Sequence, residues 1–567
     1  MGLGHSRWNL LPSIPDDQAI KTAGFSRLIA QLLYNRGLTD PAQLEIFIAA
    51  DQRLSGDPAL LPDMHRAVSR IYRALLSGEN IAIYGDFDTD GVTSTALLVQ
   101  GLAALNCRAV PYIPHRLTEG YGIRTAALEN LRRQGVSLVI TVDCGITAVA
   151  ELKRARKLGL DVIITDHHTP LAEIPPALAV VDPKLSGSNY PFGELAGVGV
   201  AFKLLQALFQ GIGKEKQLEN LLDLVALGTV ADMMPMLGEN RYLVSQGLKV
   251  LNSSLRLGLR EIMSQVRLDT RALDAESISW IIAPRLNAAG RLEHAMGSYR
   301  LLVTDVAEEA HELATWLEQK NTERQNLTAK ALTRARELVL SQGLTPLLFV
   351  ADPDFATGVC GLVASRLSDE FYRPAVVVRT GERFSGGSCR SIPEFNIIFA
   401  LNQCSSLFSH FGGHSQAAGF GMPTRNLPRL QEALIGIASR ELKGVDLRPR
   451  IDIEVEAKLS ELGGNTFQMI QSLAPFGKGN PAPTFLSRQV EVVDSRVMGG
   501  NSEHLRLRLK HGGVVWDAVA FDFGDYRTEL SANIDIVYNM EIDRWNGAER
   551  LRLNILDFVP SVQAAKV

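Results

Sequence analysis

The stretch 80–91, NIAIYGDFDTDG, ends an apolar run with three carboxylates and then a glycine. Asp86, Asp88 and Asp90 follow the run directly, and a helical pattern begins at Val92. Side chains two residues apart in an extended chain point the same way, so Asp86 and Asp88 can be directed together, as metal binding requires. The stretch therefore predicts a buried strand whose carboxyl end carries acidic side chains.

Four further β-branched runs follow before residue 183, in the order RAVPYIP, SLVITVD, DVIITD and LAVVDP. Short apolar runs that alternate with helical stretches are typical of βαβ units, which predicts an α/β fold with a parallel sheet covered on both faces. No GxGxxG follows the first run, so a dinucleotide site is not supported. The nearest approach, AGVGVAF at 196–202, is interpreted as a Gly-rich turn that opens a helix.

Two more of these runs end in side chains that can bind metal. TVDCG at 141–145 supplies Asp143, and ITDHHTP at 164–170 supplies Asp166, His167 and His168. A single Asp after a strand is more often a turn former or a helix cap. Because the carboxyl ends of parallel strands line one crevice, three such ends together favour a functional site over three independent turns.

The donor types at these strand ends indicate the chemistry. A mixed set of carboxylates and imidazoles without thiolates suits hard-to-borderline ions such as Mn²⁺ or Mg²⁺ rather than structural zinc. Two such ions about 4 Å apart stabilise both oxygens of a phosphoryl displacement. The residues therefore predict a phosphoesterase that uses two divalent cations, Mn²⁺ or Mg²⁺.

Length and composition limit the remaining possibilities. A chain of 567 residues is long enough for three or four domains of about 100–200 residues each. The net charge of −4 argues little against DNA binding, which depends on where Lys and Arg cluster. The five cysteines form no CxxC pair, and no signal peptide or membrane span is recognisable, so we expect a cytoplasmic protein that does not enter membranes.

The second half of the chain has three distinct patterns. Residues 305–342 predict one long helix that is polar all round at 318–326, as expected of a helix that bridges two domains. The βα alternation then resumes, and from about residue 450 strictly alternating runs such as HLRLRLK predict a small antiparallel barrel. Asn546-Gly547 is a strong signal for a hairpin turn in this barrel.

The strand-end motifs resemble those of the DHH phosphoesterases. YGDFDTDG, TVDCG, ITDHH and GTVADMMP (228–235) are similar to four consecutive motifs of that family. The resemblance implies the metal ligands Asp86, Asp88, Asp143, His167 and Asp232, with Asp143 bridging the two ions. It also implies that the catalytic set includes Asp90, that His168 lies beside the scissile phosphate, and that Asp166 orients the histidines.

Further motifs resemble the RecJ family, a branch of the DHH phosphoesterases, and they occur in that family's order. They are RWNLLP near the start, APRLNAAGR (283–291), GVCGLVASR (358–366), GGSCRS (386–391), FGGHSQAAG (411–419) and PFGKGNPAPTF (475–485). The resemblance covers essentially the whole chain and implies a metal-dependent 5′→3′ exonuclease that degrades single-stranded DNA to 5′-mononucleotides in repair and recombination. Cys144 and Cys389 replace residues that are often Asn and Gly in the family.

The resemblance also implies a second site that recognises the 5′-phosphate of the DNA. Arginine matches a terminal phosphate with two parallel hydrogen bonds. We interpret GGSCRS as a phosphate-binding turn, and FGGHSQAAG as a Gly-Gly segment that a helix N-terminus follows, with His414 able to contact the DNA backbone. The predicted substrate-binding residues are Arg116, Arg285, Asn287, Arg291, Ser388, Arg390 and His414, and the choice between Arg285 and Arg291 stays open.

The C-terminal barrel resembles an OB-fold, which binds single strands by stacking bases on aromatic side chains beside a basic groove. The residues available for this are Trp516, Phe521, Phe523, Trp545, Arg506, Arg508, Lys510 and Arg544. Beyond single-stranded DNA, the resemblance implies a monomer whose partners are a single-strand-binding protein and a RecQ-type helicase.

The predicted domains follow from these motifs. They are an N-terminal segment on the catalytic domain (1–75), the DHH catalytic domain (76–303), the bridging helix (304–343), a smaller α/β DHH-associated domain (344–446) and the OB-fold (447–567). Two rival functions remain open at this point. A phosphoesterase for small molecules would have a much shorter chain without the barrel, and a non-catalytic DNA-binding scaffold would lack some of the metal ligands, all of which are present here.

Overall fold

A computed structural model describes residues 6–16, 25–116, 118–254, 256–268, 272–500, 502–543 and 550–561. The chain forms two compact units. The first unit contains Met1–Ile48, Leu327–Ala474 and Ala482–Val567, and the second contains Ala49–Asn326 and Pro475–Pro481. The predicted N-terminal segment 1–75 is therefore divided between the units, and the unit boundary at Asn326 falls inside the predicted bridging helix.

Helices and strands alternate between residues 80 and 165 and again between 348 and 441, whereas the described part of 197–342 contains only helices and that of 485–560 mainly strands. The helices are α1 (Arg27–Asn35), α2 (Pro41–Ala49), α3 (Met64–Ser77), α4 (Thr89–Ala103), α5 (Thr125–Arg133), α6 (Val149–Lys157), α7 (Gly197–Gln210), α8 (Leu222–Ala231), α9 (Gly238–Ser253), α10 (Leu257–Val266), α11 (Ala275–Ser277), α12 (Ala283–Leu292), α13 (Met296–Val303), α14 (Ala307–Gln342), α15 (Cys360–Phe371), α16 (Ile397–Gln403), α17 (Leu427–Glu441) and α18 (Asn465–Ser472). The strands are β1 (Arg7–Leu10), β2 (Asn80–Tyr84), β3 (Val110–Tyr112), β4 (Val136–Val142), β5 (Asp161–Thr165), β6 (Ala179–Val181), β7 (Leu348–Asp352), β8 (Ala375–Arg379), β9 (Phe384–Arg390), β10 (His410–Gly413), β11 (Ala417–Pro423), β12 (Arg450–Ile453), β13 (Val455–Glu456), β14 (Phe485–Met498), β15 (His504–His511), β16 (Val514–Ala520), β17 (Asn533–Asp543) and β18 (Arg550–Pro560).

The five apolar runs of the sequence form the parallel sheet of the second unit, in the order β3-β2-β4-β5-β6. Ile81 and Ile83 face one side and pack with residues of α3, α4, α7 and α8. Ala82 and Tyr84 face the other side and pack with residues of α5 and α6. Both faces are covered, so the central residues of these strands are apolar on both sides, as the sequence predicts.

The long helix α14 runs from Ala307 to Gln342, close to the predicted 305–342. Its C-terminal part packs, together with α15, on one face of a mixed sheet in the first unit, where Ala335 and Val339 are buried. That sheet has the order β10-β11-β9-β8-β7, in which only β7 and β8 are parallel. Its other face packs against α16 and α17.

The C-terminal strands close a five-stranded barrel. Strands β14, β15, β16, β18 and β17 follow one another around it, and β14 pairs with β17 to complete the ring. HLRLRLK alternates as predicted, with Leu505, Leu507 and Leu509 fully buried in β15. The predicted Asn546-Gly547 turn lies outside the described residues. The prediction of an OB-fold after two α/β domains is confirmed.

The N-terminal strand lies in the same unit as this barrel. Strand β1 pairs in parallel with β12, from Arg7 opposite Arg450 to Leu10 opposite Ile453. The indole nitrogen of Trp8 donates to Asp557 of β18 at 2.8 Å, and the Arg7 guanidinium bonds Glu394 at 3.3 Å. The RWNLLP motif therefore ties the barrel to the α/β part of the first unit. Among the described residues, no helix is both long and apolar enough to cross a membrane.

Candidate functional site

The first strand end of the second unit brings two carboxylates to the edge of the sheet. Strand β2 ends at Tyr84, and Asp88 then caps α4 by accepting from the Gly91 amide at 3.1 Å. A Cβ on Gly91 would lie 2.5 Å from the Asp86 nitrogen, so only glycine allows the chain to fold back here. Oδ1 of Asp86 is buried and has no hydrogen-bond partner among the described residues. An orphaned buried carboxylate oxygen is costly unless it binds a cation.

The second and third strand ends meet the first at this edge. Asp143 follows β4 with a φ of +58°, a left-handed conformation that Asp tolerates better than most residues. Its Oδ1 lies 3.1 Å from Nε2 of His167, which follows β5. A Cβ on Gly197 would lie 2.6 Å from the Asp143 Cβ. The AGVG turn that opens α7 thus packs directly against the central carboxylate, which gives that Gly-rich segment a local role.

Asp90 belongs to the same cluster, in a role that sequence reasoning missed. Its Oδ2 lies 3.9 Å from Nε2 of His167, and Oδ2 of Asp232 lies 3.6 Å from the same atom. The two Asp90 oxygens also accept the amides of Gly197 at 2.7 Å and Val198 at 2.8 Å. The sequence motifs imply Asp90 as a catalytic residue but not as a ligand. The spacing of two residues between Asp88 and Asp90 was the feature of the sequence that could have indicated Asp90 as a ligand.

Asp166 is occupied by hydrogen bonds from its own neighbours. It accepts the Ile146 amide at 2.9 Å, the His167 amide at 2.8 Å and Nδ1 of His168 at 2.7 Å. Burial acts most strongly to raise the pKa of Asp166, but the hydrogen bond and charge of His168, the charge of His167 and the Ile146 amide together hold the pKa below its ordinary value. Burial likewise acts to lower the pKa of His168, and Asp166 raises it to about 9. These contacts are those of a residue that orients the two histidines.

The other carboxylates of the cluster have raised pKa values. Burial, reinforced by neighbouring carboxylates, raises the pKa of Asp86 and of Asp143 well above the ordinary value. Burial and the charge of Asp88 raise the pKa of Asp90 to about 7. Burial and Asp90 raise the pKa of Asp232 to about 8, against the opposing charges of His168 and Lys478. Crowded anions of this kind fit a site that divalent cations complete.

The donor atoms form groups that suit cations. Donor atoms of Asp86, Asp88 and Asp143 lie within 4.8 Å of one another, and so do those of Asp90, His167 and Asp232. Burial and the positive charge of His168 lower the pKa of His167 to about 3, so its imidazole is neutral, as a ligand must be. Carboxylate oxygens with one imidazole are the donors that Mn²⁺ and Mg²⁺ accept. The residues therefore fit the divalent cations that the sequence predicts.

Two predicted substrate-binding residues lie near the first motif. The Arg116 guanidinium stands 4.8 Å above the centre of the Phe87 ring. Burial lowers the pKa of Arg116, although Asp86 and Asp88 act to raise it, so the guanidinium is partly desolvated near these acids. Oδ1 of Asn287 accepts the Thr89 amide at 3.0 Å, which binds α12 to the start of α4.

The two candidate arginines of APRLNAAGR lie on α12. Nε of Arg285 bonds Glu318 at 2.5 Å, and Nη1 donates to the Ile281 carbonyl at 2.8 Å. Its guanidinium is thus bound to α14 and to the segment that immediately precedes α12. Arg291 lies in the last turn of α12. Both arginines remain candidates for contact with a 5′-phosphate.

The first unit carries Ser388 and Arg390, but not in a turn. GGSCRS belongs largely to β9, a strand paired on both sides with β8 and β11. A Cβ on Gly361 would lie 3.2 Å from Nη2 of Arg390 and 3.7 Å from Oγ of Ser388, so both side chains face the start of α15. The predicted turn is wrong because residues 386 and 387 continue the ladder instead of reversing the chain. Cys389 points to the opposite face and is fully buried.

The FGGHSQAAG segment forms a hairpin. Strands β10 and β11 pair from His410 opposite Gly421 to Gly413 opposite Ala418, and the His414 amide donates to the Ala417 carbonyl at 2.8 Å. No helix follows the two glycines, so the expectation of a helix N-terminus beside His414 is wrong. Gly413 has a φ of +144°, and a Cβ there would lie 2.3 Å from the Ala417 carbonyl. The glycine serves the tight reversal of the chain.

The barrel residues proposed for DNA binding differ in their surroundings. The Trp516 indole donates to the Leu459 carbonyl at 3.1 Å, and Phe523 packs against Phe558 with ring centres 5.7 Å apart. Phe521 is 43 % exposed. Lys510 bonds Glu491 at 3.0 Å. Trp545 and Arg544 lie outside the described residues.

Comparison with known proteins finds family models that match three regions of the chain. The chain matches the models of the DHH family N-terminal domain at residues 80–229, the DHHA1 domain at 344–440 and the RecJ OB domain at 453–557. It is 38% identical over 560 residues to the single-stranded-DNA-specific exonuclease RecJ of Bacillus subtilis, covering 97% of this chain and 70% of that protein. The three matched domains follow one another in the predicted order.

Two solved structures from Thermus thermophilus are similar along nearly the whole chain. The first, described as RecJ in complex with Mn²⁺, has a TM-score of 0.85 at 31% identity and covers 98% of this chain and 80% of that one. The second, described as RecJ in complex with Mg²⁺, has a TM-score of 0.78 at 30% identity, with coverages of 98% and 79%. The chain thus shares its fold with proteins whose structures contain Mn²⁺ or Mg²⁺, the two ions that the donor set suits.

Proposed function

The chain belongs to the RecJ family of single-stranded-DNA-specific exonucleases, and we propose that it degrades single-stranded DNA stepwise from the 5′ end to 5′-mononucleotides. The observation that carries this proposal is the buried cluster at the strand ends of the second unit. It gathers carboxylates and one neutral imidazole in neighbouring groups, and one of these groups includes Asp86, whose Oδ1 has no hydrogen-bond partner among the described residues. An exonuclease of this family is a metal-dependent hydrolase, and a role in DNA repair and recombination follows from that activity.

We assign the cluster two sets of donors that share Asp143. One set is Asp86, Asp88 and Asp143, and the other is Asp90, Asp143, His167 and Asp232, which adds Asp90 to the ligands inferred from the sequence. When bound, two divalent cations supply the charge that activates water and stabilises both oxygens of an in-line phosphoryl displacement. Asp166 takes no part in this donor set because hydrogen bonds already engage both of its oxygens.

His168 is suited to face the scissile phosphate. Asp166 accepts from Nδ1 and keeps the imidazole protonated, since the pKa of His168 is raised to about 9. The other ring nitrogen, Nε2, lies 3.5 Å from the Tyr121 hydroxyl and is turned away from Asp166. A cationic donor held in one orientation stabilises negative charge on a phosphoryl oxygen without further reorganisation. Arg116, which stands above the Phe87 ring and senses the charges of Asp86 and Asp88, offers a second cation near the first motif.

End recognition is proposed for Ser388 and Arg390 of the first unit. The two side chains share one face of β9, beside Gly361, where the start of α15 brings no side chain between them. A guanidinium and a hydroxyl on one face suit a terminal phosphate, which accepts several charge-assisted hydrogen bonds. His414, Asn287, Arg285 and Arg291 are proposed as further contacts to the DNA backbone.

The barrel and the partners complete the proposal. The match to the RecJ OB domain supports single-strand binding by the barrel, in which Phe521 is an exposed aromatic side chain available for stacking. We further propose that the protein acts in the cytoplasm as a monomer, together with a single-strand-binding protein and a RecQ-type helicase. Each partner can be tested by pull-down with the purified full chain.

One experiment tests the proposed function. Single strands labelled at the 5′ or the 3′ end are incubated with the enzyme in Mn²⁺, in Mg²⁺ and in EDTA, and the products are separated by size. We expect 5′-label to appear at once as mononucleotide, 3′-label to shorten gradually, and EDTA to abolish both. Release of the 3′-label first, or cleavage of a dinucleotide but not of a long strand, would contradict the proposal and favour a phosphoesterase for small molecules.

A further inference from the structure

A short loop from the C-terminal half of the chain belongs to the catalytic unit. Residues Pro475–Pro481 lie in the second unit, although the segments on both sides of them, Leu327–Ala474 and Ala482–Val567, lie in the first. The loop is the beginning of the PFGKGNPAPTF motif, for which the sequence suggests no role of its own. Every proposed metal ligand lies before residue 235. The loop is therefore a contribution of the C-terminal half of the chain to a unit whose proposed site is formed by the first half.

The loop is a tight turn with Lys478 at its tip. The Gly477 amide donates to the Asn480 carbonyl at 2.9 Å, and the Asn480 amide donates to the Gly477 carbonyl at 3.1 Å. Gly479 has a φ of +76°, which favours glycine, and Nδ2 of Asn480 donates to the Pro475 carbonyl at 2.9 Å. These bonds fix the turn from inside and leave the Lys478 side chain exposed.

The tip of the turn is bound to the segment that follows Asp232. The Met236 amide donates to the Lys478 carbonyl at 2.7 Å, and Met236 itself is only 2 % exposed. A Cβ on Gly477 would lie 2.8 Å from Cγ of Met236, and one on Gly479 would lie 3.3 Å from Cβ of Pro235. Gly477 and Gly479, on either side of the lysine, thus allow the backbone of the loop to approach Pro235 and Met236. These two residues follow the proposed ligand Asp232 closely in the chain.

The charge of Lys478 distinguishes this loop from a purely structural contact. Its ammonium is one of two positive groups, with His168, whose charge acts on Asp232. Within the ranges that the structure describes, Lys478 forms no ion pair with a carboxylate. Asp232 itself keeps 30% of its side chain exposed, so this side of the cluster is open to solvent. Lys478 is therefore a positive side chain that no ion pair neutralises in the described part of the chain, and its charge acts on the exposed carboxylate of the cluster.

We propose that Lys478 is a substrate-binding residue that contacts a phosphate of the DNA strand next to Asp232. The lysine ammonium is a compact point charge on a flexible stem, suited to a phosphate contact that carries no sequence preference. A negatively charged polymer must approach a cluster of carboxylates, and a positive side chain on the exposed side of Asp232 offsets that repulsion. This inference rests on the proposed exonuclease function and adds one binding residue to it.

The test compares full-length Lys478→Ala and Lys478→Arg with the wild type and with Lys157→Ala. Lys157 is an exposed lysine of the same unit at the C-terminal end of α6, the end of that helix remote from the strand ends. Loss of a charge-assisted contact should raise KM for single-stranded DNA in Lys478→Ala about tenfold at low salt. The slope of log KM against log salt should become shallower by about 0.7, the value for one phosphate contact on a single strand.

The other measurements separate binding from support of the metal site. The kcat at saturating DNA and the Mn²⁺ affinity of the DNA-free protein, measured by calorimetry, should stay within about twofold in Lys478→Ala, because its carbonyl still accepts from Met236. Lys478→Arg should keep the wild-type salt slope. Gly479→Ala, which moves the tip but keeps the lysine, should also raise KM, whereas Gly463→Ala, at a glycine with open space around it, should not.

Three results would overturn the inference. One is an unchanged KM and salt slope in Lys478→Ala, and another is an equal rise of KM in Lys157→Ala. The third is a loss of kcat and Mn²⁺ affinity without a change in KM, which would make the loop a support for Asp232. All three presuppose a wild type that degrades single strands, so a failure of the proposed function itself would appear separately, as an inactive wild type.

Discussion

The two α/β sheets of this chain present their polar side chains in different ways. In the second unit, the functional groups leave from loops at the carboxyl ends of parallel strands, as Asp86, Asp143 and Asp166 do after β2, β4 and β5. In the first unit, Ser388 and Arg390 lie within a single strand, β9, on the face opposite to Cys389. The first arrangement brings together residues that are far apart in sequence. In the second, Ser388 and Arg390 lie on the same face because side chains two residues apart in a strand point the same way.

These two arrangements explain why the strand ends of the second unit are acidic and crowded, whereas β9 presents a single guanidinium with a hydroxyl. Loops at strand ends can converge, which brings several carboxylates close together in a buried site. Burial and the neighbouring negative charges raise the pKa values of Asp143 and Asp90, and a bound cation would offset this repulsion. A strand keeps neighbouring side chains on opposite faces, so β9 offers one guanidinium and one hydroxyl to a ligand while Cys389 joins the core. The proposed cation site and the proposed site for a 5′-phosphate thus use two different geometries of sheet.

Asp143→Ala should have the largest effect, because it removes the carboxylate on which the three strand ends converge. Even the outer partners of metal ligands are worth about 10–100-fold in affinity or activity, so loss of a shared ligand should cost at least about a hundredfold in kcat. Activity is measured on labelled single strands in Mn²⁺, with circular dichroism to verify the fold. A folded variant that keeps more than about a tenth of wild-type activity would contradict the shared role of Asp143.

Arg390→Ala tests whether β9 recognises the 5′ end. Loss of a charge-assisted contact of about 1.5–3 kcal/mol should appear only on strands that carry a 5′-phosphate. Rates are compared on 5′-phosphorylated and 5′-hydroxyl strands, and the wild type should prefer the phosphate while the variant should not. Ser388→Ala should lose a smaller part of the same preference. Full retention of the preference in Arg390→Ala would place end recognition elsewhere in the protein.

The affinity for Mn²⁺ should increase with pH between about 6 and 8. The pKa values of Asp90, about 7, and Asp232, about 8, are raised, so protons occupy these carboxylates below that range and must leave when a cation binds. Affinity should rise about tenfold per pH unit for each proton released across this range. Calorimetry in buffers of different ionisation enthalpy counts the protons. A pH-independent affinity with no proton release would show that the carboxylates are already ionised without metal.

Cys389→Ser should have the smallest effect on activity and a measurable one on stability. The side chain is fully buried in the core of the first unit, where a hydroxyl without a partner costs about 1–3 kcal/mol. The free energy of unfolding, from denaturant titration, should fall by that amount, while the preference for a 5′-phosphate stays unchanged. If the preference fell as far as it does in Arg390→Ala, the two faces of β9 would not be independent. Cys404→Ser, at a less central position of the same core, serves as the matched control.

Local patterns of the sequence were sufficient for the regular elements. The apolar runs that form β2 to β6, the helix α14 and the alternation in β15 were all predicted, because hydrophobic period reports directly which side of an element is buried. Three strand ends with acidic or imidazole side chains were sufficient to predict one metal site. Parallel strands bring their carboxyl ends to one edge whatever the details of packing, so this part of the site does not depend on exact geometry.

Glycine-rich segments were decided by tertiary structure. GGSCRS was predicted as a turn and is the strand β9, and FGGHSQAAG was expected to lead into a helix and is the hairpin of β10 and β11. Glycine favours neither conformation by itself, so the pairing with β8 and β11, residues far away in sequence, determines the outcome. The inclusion of Asp90 in the cluster depends likewise on amides at 197 and 198, which no local pattern connects to it.

The sequence by itself determined the fold class, the family and the convergence of acidic strand ends, because each follows from short-range periodicity or from contiguous motifs. Only the tertiary structure decided the division of the chain into units, which assigns the loop Pro475–Pro481 to the unit of the metal site. It alone also decided that Arg285 is engaged by Glu318 and that Lys478 is bound beside the Asp232 segment. These contacts join residues between about 30 and 240 positions apart, and such pairings arise from packing of whole elements rather than from any local preference of the chain.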